Sequence, residues 1–419
     1  MLKRVLSVEI NNMNGETVLL KGWVRTVRSV SSELKFIVLA DLAGDAQVVL
    51  AGNLAKVPLN TEDVVEVTGL IQSTRSRTHP VELRAKSLNI ISNADPLPFP
   101  INQANLSVGA DLIDRFRALA LRHPHFQQTF HLQHEVIAHF QDFFSAKGFM
   151  GVHTPKIVAS GTEGGAELFT IDYFGSPAYL AQSPQFFKQM LVGAGFERVF
   201  EAGPVFRAEE HRTSRHINEF TSLDIELGFI EDVHILMDLE EEFLHSLIEK
   251  LQPRYSSAIN LATLQPIPRL TLAEAVAILE TKYNKASPVG NIDPEGERLI
   301  CSWAEKNHGV PAAFLHSYPR STRPFYALPN KNDAALTESF DLIFRGVEIT
   351  TGGLRIHRHQ EMVESIKGRS MDPVQFEFYL HAFRFGMPPH GGFAIGAERL
   401  TMQLLGLKNI REATIMPVL

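Results

Sequence analysis

Arg207, Glu209, Asp224 and Glu226 are the residues whose types and spacing first point to chemistry. They lie in F-E-R-V-F-E-A-G-P-V-F-R-A-E-E-H-R-T-S-R-H-I-N-E-F-T-S-L-D-I-E-L-G-F, residues 196 to 229. The segment reads as two β-strands, 199 to 207 and 220 to 227, joined by a polar loop. Side chains alternate along a strand, so Phe220, Ser222, Asp224 and Glu226 share one face and Leu223, Ile225 and Leu227 the other. One face is core and the other is a site. Arg207 and Glu209, two apart, aim a cation and a carboxylate into the same space, which suits a ligand carrying both phosphate and amine. Polar hairpins are also common solvated surfaces, so the assignment needs further motifs.

Three more stretches supply them. In Gln182-Ser183-Pro184-Gln185-Phe186-Phe187-Lys188-Gln189, Ser183 is a suitable N-cap and Pro184 a suitable first helical residue, so a helix starts there and ends near Gly193 and Gly195. Gln185 and Lys188 project from its first turn, where the positive helix end adds to Lys188 in favouring an anion. Farther on, Asp341 and Glu348 are seven residues apart and would face opposite ways on one strand. If Arg345-Gly346 is a two-residue hairpin turn, Glu348 lies opposite Ile343 and diagonal to Asp341, and the two carboxylates converge. Mg²⁺ carried with ATP phosphates is the expected occupant, since one or two carboxylates plus phosphate oxygens is its usual coordination. Last, Gly386 to Leu400 is a glycine-rich strand running into a helix with Arg399 in its first turn.

Taken in order, these stretches resemble the class II aminoacyl-tRNA synthetases, in the form seen in archaeal-type aspartyl-tRNA synthetases. Phe206-Arg207-Ala208-Glu209-Glu210-His211, followed by Arg215-His216 and Glu219-Phe220, resembles motif 2, and Gly386 to Leu400 resembles motif 3. Gly148-Phe149-Met150-Gly151-Val152-His153-Thr154-Pro155 resembles motif 1, whose helix, strand and proline form a homodimer interface. The resemblance implies an aspartate subsite of Glu163, Ser183, Gln185, Lys188, Arg207, Asp224, Thr351 and Arg355. Glu163 would close over the amino group, and Lys188 and Arg355 would hold the side-chain carboxylate. For ATP it implies Arg207, Glu209, His211, Arg215, His216, Ile217, Phe220, Glu348, Gly396, Ala397, Glu398 and Arg399, with adenine between Phe220 and Arg399. Mg²⁺ falls to Asp341, Glu348 and Thr351, and catalysis to Arg207, Glu348 and Arg399. The implied partners are L-aspartate and tRNA(Asp), with tRNA(Asn) as a second acceptor because Arg25 stands where discriminating enzymes often carry Trp.

The elements that must position these residues follow from the rest of the chain. At 419 residues the sequence is long enough for two or three domains. Residues 1 to 95 are rich in short strands separated by Gly, Asp and Ser, as in a small barrel. They resemble the OB-fold anticodon-binding domain, in which Arg25, Phe36 and Gln47 would meet the anticodon. Phe36 is either a stacking face for a base or barrel core. Pro96 to Pro100 is a stiff joint, and 96 to 125 is expected to be a hinge. Apolar residues from Phe126 to Phe144 recur at helical spacing. Residues 126 to 419 then form the catalytic domain, with 231 to 252 a helix and 260 to 320 a peripheral α/β insertion without chemistry. The fold class is α+β: an OB barrel followed by an antiparallel sheet flanked by helices.

Composition sets outer bounds. Hydrophobic residues are 44% and charged residues 21%, as in a globular protein, and no apolar run approaches the ~20 residues needed to span a bilayer. One cysteine excludes an internal disulfide framework and a cysteine-rich zinc site, and a reducing cytoplasm is the expected compartment. A net charge of -7 argues against indiscriminate coating of nucleic acid but leaves room for local basic surfaces at Arg25, Arg28 and Lys35 and at Arg75, Arg77, Arg84 and Lys86. Departures from the family keep two other functions in view. Leu39-Ala40-Asp41 replaces the usual Leu-Arg-Asp, and the chain ends Thr414-Ile415-Met416-Pro417-Val418-Leu419 where the family continues into a basic tail. These motivate a paralogue that gives aspartyl-adenylate to a non-tRNA acceptor as an amide-forming ligase; a catalytically silent RNA-binding protein is the third reading, disfavoured because every expected catalytic position is filled.

Overall fold

The computed structural model describes residues 2–74, 79–103, 106–161, 168–209, 213–255 and 266–417. The chain divides into two units, residues 1–123 and 124–419. The first is built on β1 (Thr17–Ser31), β2 (Leu34–Ala40), β3 (Asp45–Ala51), β4 (Val64–Ser73) and β5 (Val81–Ser92). They close as a barrel in the order β1-β2-β3-β5-β4. Alternation fixes which side chains fill it: Val27, Ile37, Val48 and Leu83 lie in one cross-strand row and pack inward. The next row, Arg28, Phe36, Val49 and Arg84, lies on the other side of the strands. Phe36 is therefore outward and half-buried, not barrel core.

Two basic residues expected on the surface are engaged elsewhere. Lys35 is buried and donates to the Val57 carbonyl. Arg25 sits at a break in register between Val24 and Thr26, which turns it to Glu62 Oε1 at 2.9 Å and the Arg122 carbonyl at 2.7 Å. The expected hinge is largely structured: Phe99 and Ile101 are buried, and short helices follow at Ala110–Arg115 and Arg117–Ala120. Arg75 and Arg77 lie outside the described residues.

The second unit is organised by an eight-stranded sheet. Its strands are β6 (Met150–Gly151), β10 (Arg198–Phe206), β11 (Glu219–Gly228), β12 (Arg269–Thr271), β13 (Ala312–His316), β14 (Ser339–Phe344), β15 (Val347–Arg355) and β16 (His390–Gly396). Their order is β12-β13-β14-β15-β16-β11-β10-β6, antiparallel through the middle and parallel at the two outermost pairs. A small sheet of β7 (Ile157–Val158), β8 (Thr170–Tyr173) and β9 (Ser176–Leu180) stands apart from it. Helices Pro124–Ala146, His234–Tyr255 and Ala397–Leu405 cover one face through a core that includes Phe140, Phe144, Phe243, Leu247, Leu223, Ile225, Phe393 and Leu400. A buried Phe in such a core contributes about 3–5 kcal/mol against Ala. With that face closed, the polar face of β11 is left for the site. Among the described residues no helix is long and apolar enough to cross a membrane.

Residues 266 to 320 join the main sheet at its edge. Strands β12 and β13 extend the main sheet, and helices Leu272–Tyr283 and Pro294–His308 pack on it through Ile300, Ala304 and Ile343. The second of these helices is capped by Asp293, whose side chain accepts from the Gly296 N–H, and closed by Gly309 at φ 75.

Beneath the sheet lies an unusual acid. Glu240 is fully buried and accepts a hydrogen bond from the Thr350 hydroxyl at 2.5 Å. Burial pushes its carboxyl up to about 8, with the Asp341 charge adding to the effect and the Thr350 bond opposing it. The folded value lies above the ordinary 4.5, so the native state holds a proton that the unfolded chain lacks between about pH 4.5 and 8. Stability is lost across that window as pH rises. Glu240→Gln is expected to match the parent near pH 4.5 and to become progressively more stable than it toward pH 8 in thermal melts. Parallel curves would contradict a neutral Glu240.

Candidate active site

The polar face of β11 carries its acids into the interior. Asp224 and Glu226 are both buried, Glu226 completely, and unpaired charges there would be strongly unfavourable. The neighbouring elements supply the partners. Helix Gln185–Leu191 is held by an aromatic cluster of Phe186, Phe325, Tyr326, Tyr379 and Phe383. It brings Lys188 Nζ to 2.8 Å from Asp224 Oδ1, 3.1 Å from the Ile225 carbonyl and 3.6 Å from Glu226 Oε2. Strand β15 brings Arg355 Nε to Glu226 Oε1 at 3.1 Å, and Arg355 Nη2 to Gln185 Oε1 and the Gly392 carbonyl. Burial would push the Glu226 carboxyl up, but Arg355 and Lys188 outweigh it and hold it below the usual range. Gly392 is required here, because a Cβ would overlap the Ile225 carbonyl and the Glu226 carboxylate.

Lys188 is fully buried behind the cavity, where it is the counter-ion of two buried carboxylates on one strand face. Ser183 is not the N-cap: the helix begins one residue later, with Pro184 in the cap position, and the Gln185 N–H reaches the Ser183 hydroxyl only at 3.4 Å.

In front of this layer is a cavity of about 540 Å³ that Ser183, Gln185, Asp224, Thr351 and Arg355 help to line. Asp224 Oδ2 is buried there without a partner among the described residues. Arg207, Ser222, Thr351 and Ala394 also border a narrower cleft of about 100 Å³. That cleft gathers Glu209, Arg215, His216, Ile217 and Phe220 from the hairpin with Glu348, Gly396, Glu398 and Arg399. The Arg207 guanidinium lies over the Phe220 ring, 5.5 Å from its centre. Next to the cleft, Ala397 packs into the core, and Glu398, which borders it, accepts the Thr221 N–H at 3.0 Å, fastening the start of β11. Glu163 and His211 lie outside the described residues.

The acid pair across the cleft follows the expected turn. Arg345 and Gly346 both have positive φ, and Glu348 pairs with Ile343. A bulge then shifts the register so that Asp341 faces Thr351, and the Thr351 hydroxyl donates to Glu348 Oε1 at 3.0 Å. The acids differ in environment. Asp341 is not open, because Arg323 grips both its oxygens, at 2.9 and 2.6 Å. Glu348 keeps about a third of its side chain exposed (37%), with Arg399 Nη1 3.8 Å from Oε1. Desolvation by the groups crowded around it, then the Asp341 charge, raise its carboxyl above the ordinary range. A carboxylate so weakly compensated suits an Mg²⁺ that arrives with phosphates, whereas Asp341 could take part only by sharing with Arg323.

Sequence reasoning missed Arg323, Asn218 and Glu297. Asn218 Nδ2 closes the base of the hairpin loop on the Arg207 and Glu209 carbonyls, both at 2.9 Å. Glu297, from helix Pro294–His308, binds Arg215 in a two-pronged pair at 2.8 and 3.0 Å. Asp293-Pro294 and Gly309 marked that helix, but nothing local marked its contact with the cleft. Removing the counter-ion behind the cavity is predicted to be costly: Lys188→Met should destabilise the fold by roughly 3–5 kcal/mol in urea titrations near neutral pH. A loss below 1 kcal/mol would contradict the buried pairing.

Comparison with known proteins agrees with this architecture. The family of tRNA synthetases class II (D, K and N) matches residues 110–419, and the OB-fold nucleic acid binding domain matches residues 18–91. The aspartate–tRNA(Asp/Asn) ligase of Deinococcus radiodurans is 42% identical, covering 99% of this chain and 97% of that protein. The aspartate–tRNA(Asp) ligase of Pyrococcus abyssi is 40% identical over 100% and 98%. Among solved structures, asparaginyl-tRNA synthetase from Pyrococcus horikoshii complexed with asparaginyl-adenylate superimposes with a TM-score of 0.92 at 28% identity, covering 100% of this chain and 98% of that one. The aspartyl tRNA synthetase from Entamoeba histolytica gives 0.87 at 27%, covering 99% and 91%. With both the barrel and the sheet-borne site accounted for, the chain belongs to the class II tRNA synthetases.

Proposed function

We propose that this chain is an aspartate–tRNA ligase. It joins L-aspartate to ATP as aspartyl-adenylate, releases pyrophosphate, and passes the aspartyl group to the 3′ end of tRNA(Asp) and of tRNA(Asn). The observation that carries this is the pair of adjoining cavities that share Arg207. One holds the unpartnered Asp224 oxygen beside the Arg355 guanidinium, a match for an ammonium and a carboxylate on one small molecule. The other is a narrow slot with Phe220 and Arg399, a match for a purine and its phosphates.

The chemistry needs little beyond placement. The α-carboxylate of aspartate is ionised at neutral pH, so no general base is required for its attack on the α-phosphorus. Arg207, at the junction, stabilises the charge that builds on the α-phosphate. Arg399 reaches toward the terminal phosphates and Phe220 stacks on adenine, with Glu209, Arg215, His216 and Ile217 shaping the cleft. Gln185 and Ser183 orient the amino acid. Mg²⁺ bound with ATP supplies charge neutralisation at the phosphates, and Glu348 with the Thr351 hydroxyl would hold it. Arg355, which borders the cavity while its Nε holds Glu226, presents a cation that favours the aspartate carboxylate over the neutral amide of asparagine.

The barrel's outward row offers Phe36 for stacking on an anticodon base, with Gln47 beside it; the Gln47 amide donates to Glu82 at 3.0 Å. Arg25, expected at the anticodon, pairs with Glu62, which favours a supporting role there. The wider tRNA range is favoured by Arg25 in place of Trp and by the ligases of Deinococcus radiodurans and Thermus thermophilus, 42% and 43% identical and named for both tRNAs. Exposed Met150 and Ile157 after the long helix fit a homodimer interface. An amide-forming paralogue and a silent RNA-binding protein are not favoured, given relatives named as ligases over nearly the whole chain.

Arg207→Ala should lower aspartate-dependent pyrophosphate exchange by about 10²–10³-fold, in line with loss of one charge-stabilising donor; retained exchange would remove Arg207 from the mechanism. Aminoacylation of purified tRNA(Asp) and tRNA(Asn) transcripts tests the acceptor. Both should be charged with aspartate, and charging of neither, with exchange intact, would restore the paralogue.

A further inference from the structure

Asp341 carries an internal cation. Arg323 donates through Nη1 to Oδ1 and through Nη2 to Oδ2, and both side chains are more than nine-tenths buried. The guanidinium also lies over Tyr318, 3.6 Å from the ring centre. Its segment is fastened by Arg369, which donates to the carbonyls of Arg320, Ser321 and Arg323. A two-pronged, stacked and backbone-anchored pair is a built feature, not a surface ion pair.

The wider charge pattern gives the pair a consequence. Asp341, Glu348 and Glu297 gather at the nucleotide end of the site, and three guanidiniums answer them: Arg323 on Asp341, Arg399 near Glu348 and Arg215 on Glu297. The group is therefore neutral, and among the described residues no cluster of three or more His, Cys, Asp or Glu is placed to hold a metal ion. A hard divalent cation needs a surplus of anionic oxygens. ATP brings them.

We propose that Arg323 is the resident counter-ion of Asp341, a positioning residue that keeps this acid pair closed to free divalent cations. A cation is then accepted only together with nucleotide phosphates, with Glu348, the least compensated acid, as its first protein ligand. The inference rests on the nucleotide function proposed for the cleft. It assigns a role to a residue outside the recognised motifs and accounts for why an acid expected to be open is gripped.

Mn²⁺, another hard oxygen-seeking ion, serves as the probe, with bound ion read by water-proton relaxation on the full chain. Without nucleotide, the parent and Asp341→Asn should show no saturable binding below millimolar Mn²⁺, and a non-hydrolysable ATP analogue should make binding by the parent saturable. Arg323→Met should bind Mn²⁺ without nucleotide at least about tenfold more tightly than the parent, the scale on which neighbouring groups tune metal sites. Arg323→Met with Asp341→Asn should lose that gain. The proposal is overturned if the parent binds Mn²⁺ without nucleotide and Asp341→Asn abolishes it, or if folded Arg323→Met binds no more tightly than the parent. Should Arg323→Met fail to fold, the parent and Asp341→Asn titrations decide. Failure of the underlying function would look different: no pyrophosphate exchange and no Mn²⁺ binding even with the ATP analogue.

Discussion

The architecture of the second unit depends on keeping two carboxylates, Asp224 and Glu226, ionised inside a protein. Neither can stay charged in a dry interior without cations at hydrogen-bond distance, and the surrounding elements are arranged to provide them. Lys188 comes from a helix fixed by the aromatic cluster and Arg355 from the far end of β15. Gly392 keeps β16 thin enough for the Glu226 carboxylate to lie against it. Among the described residues one Asp224 oxygen is left without a partner, on a residue that borders the cavity.

The nucleotide end obeys the same constraint with a different outcome. There three acids are met by arginines from parts of the chain far apart in sequence: Arg215 with Glu297, Arg323 with Asp341, Arg399 with Glu348. The amino-acid end is thus locked by a lysine that no solvent reaches, and the nucleotide end by two forked pairs, Arg215 on Glu297 and Arg323 on Asp341. Arg207, between the two, borders both cavities with its guanidinium over the Phe220 ring.

Much of this was legible in the chain itself. Period-two alternation separated Asp224 and Glu226 from Leu223, Ile225 and Leu227. Arg345-Gly346 announced a tight turn, and the turn placed Glu348 opposite Ile343. The bulge that moves Asp341 opposite Thr351 had no local signature, because a bulge is chosen by the pairing of two strands. Helix Pro294–His308 was marked by Asp293-Pro294 and Gly309, yet its role at the cleft was invisible, since Glu297 and Arg215 meet only after the sheet has formed.

The sequence by itself determined the periodicities, turns, motif order and residue types, and through these the barrel, the layered sheet and the two kinds of subsite. These are local properties, set by backbone geometry within a few residues. Only the tertiary structure decided which cation meets which carboxylate. Lys188 became the partner of Asp224, and Arg323 became the partner of Asp341. Charge pairing acts across space at about 3 Å, and position along the chain carries no record of it.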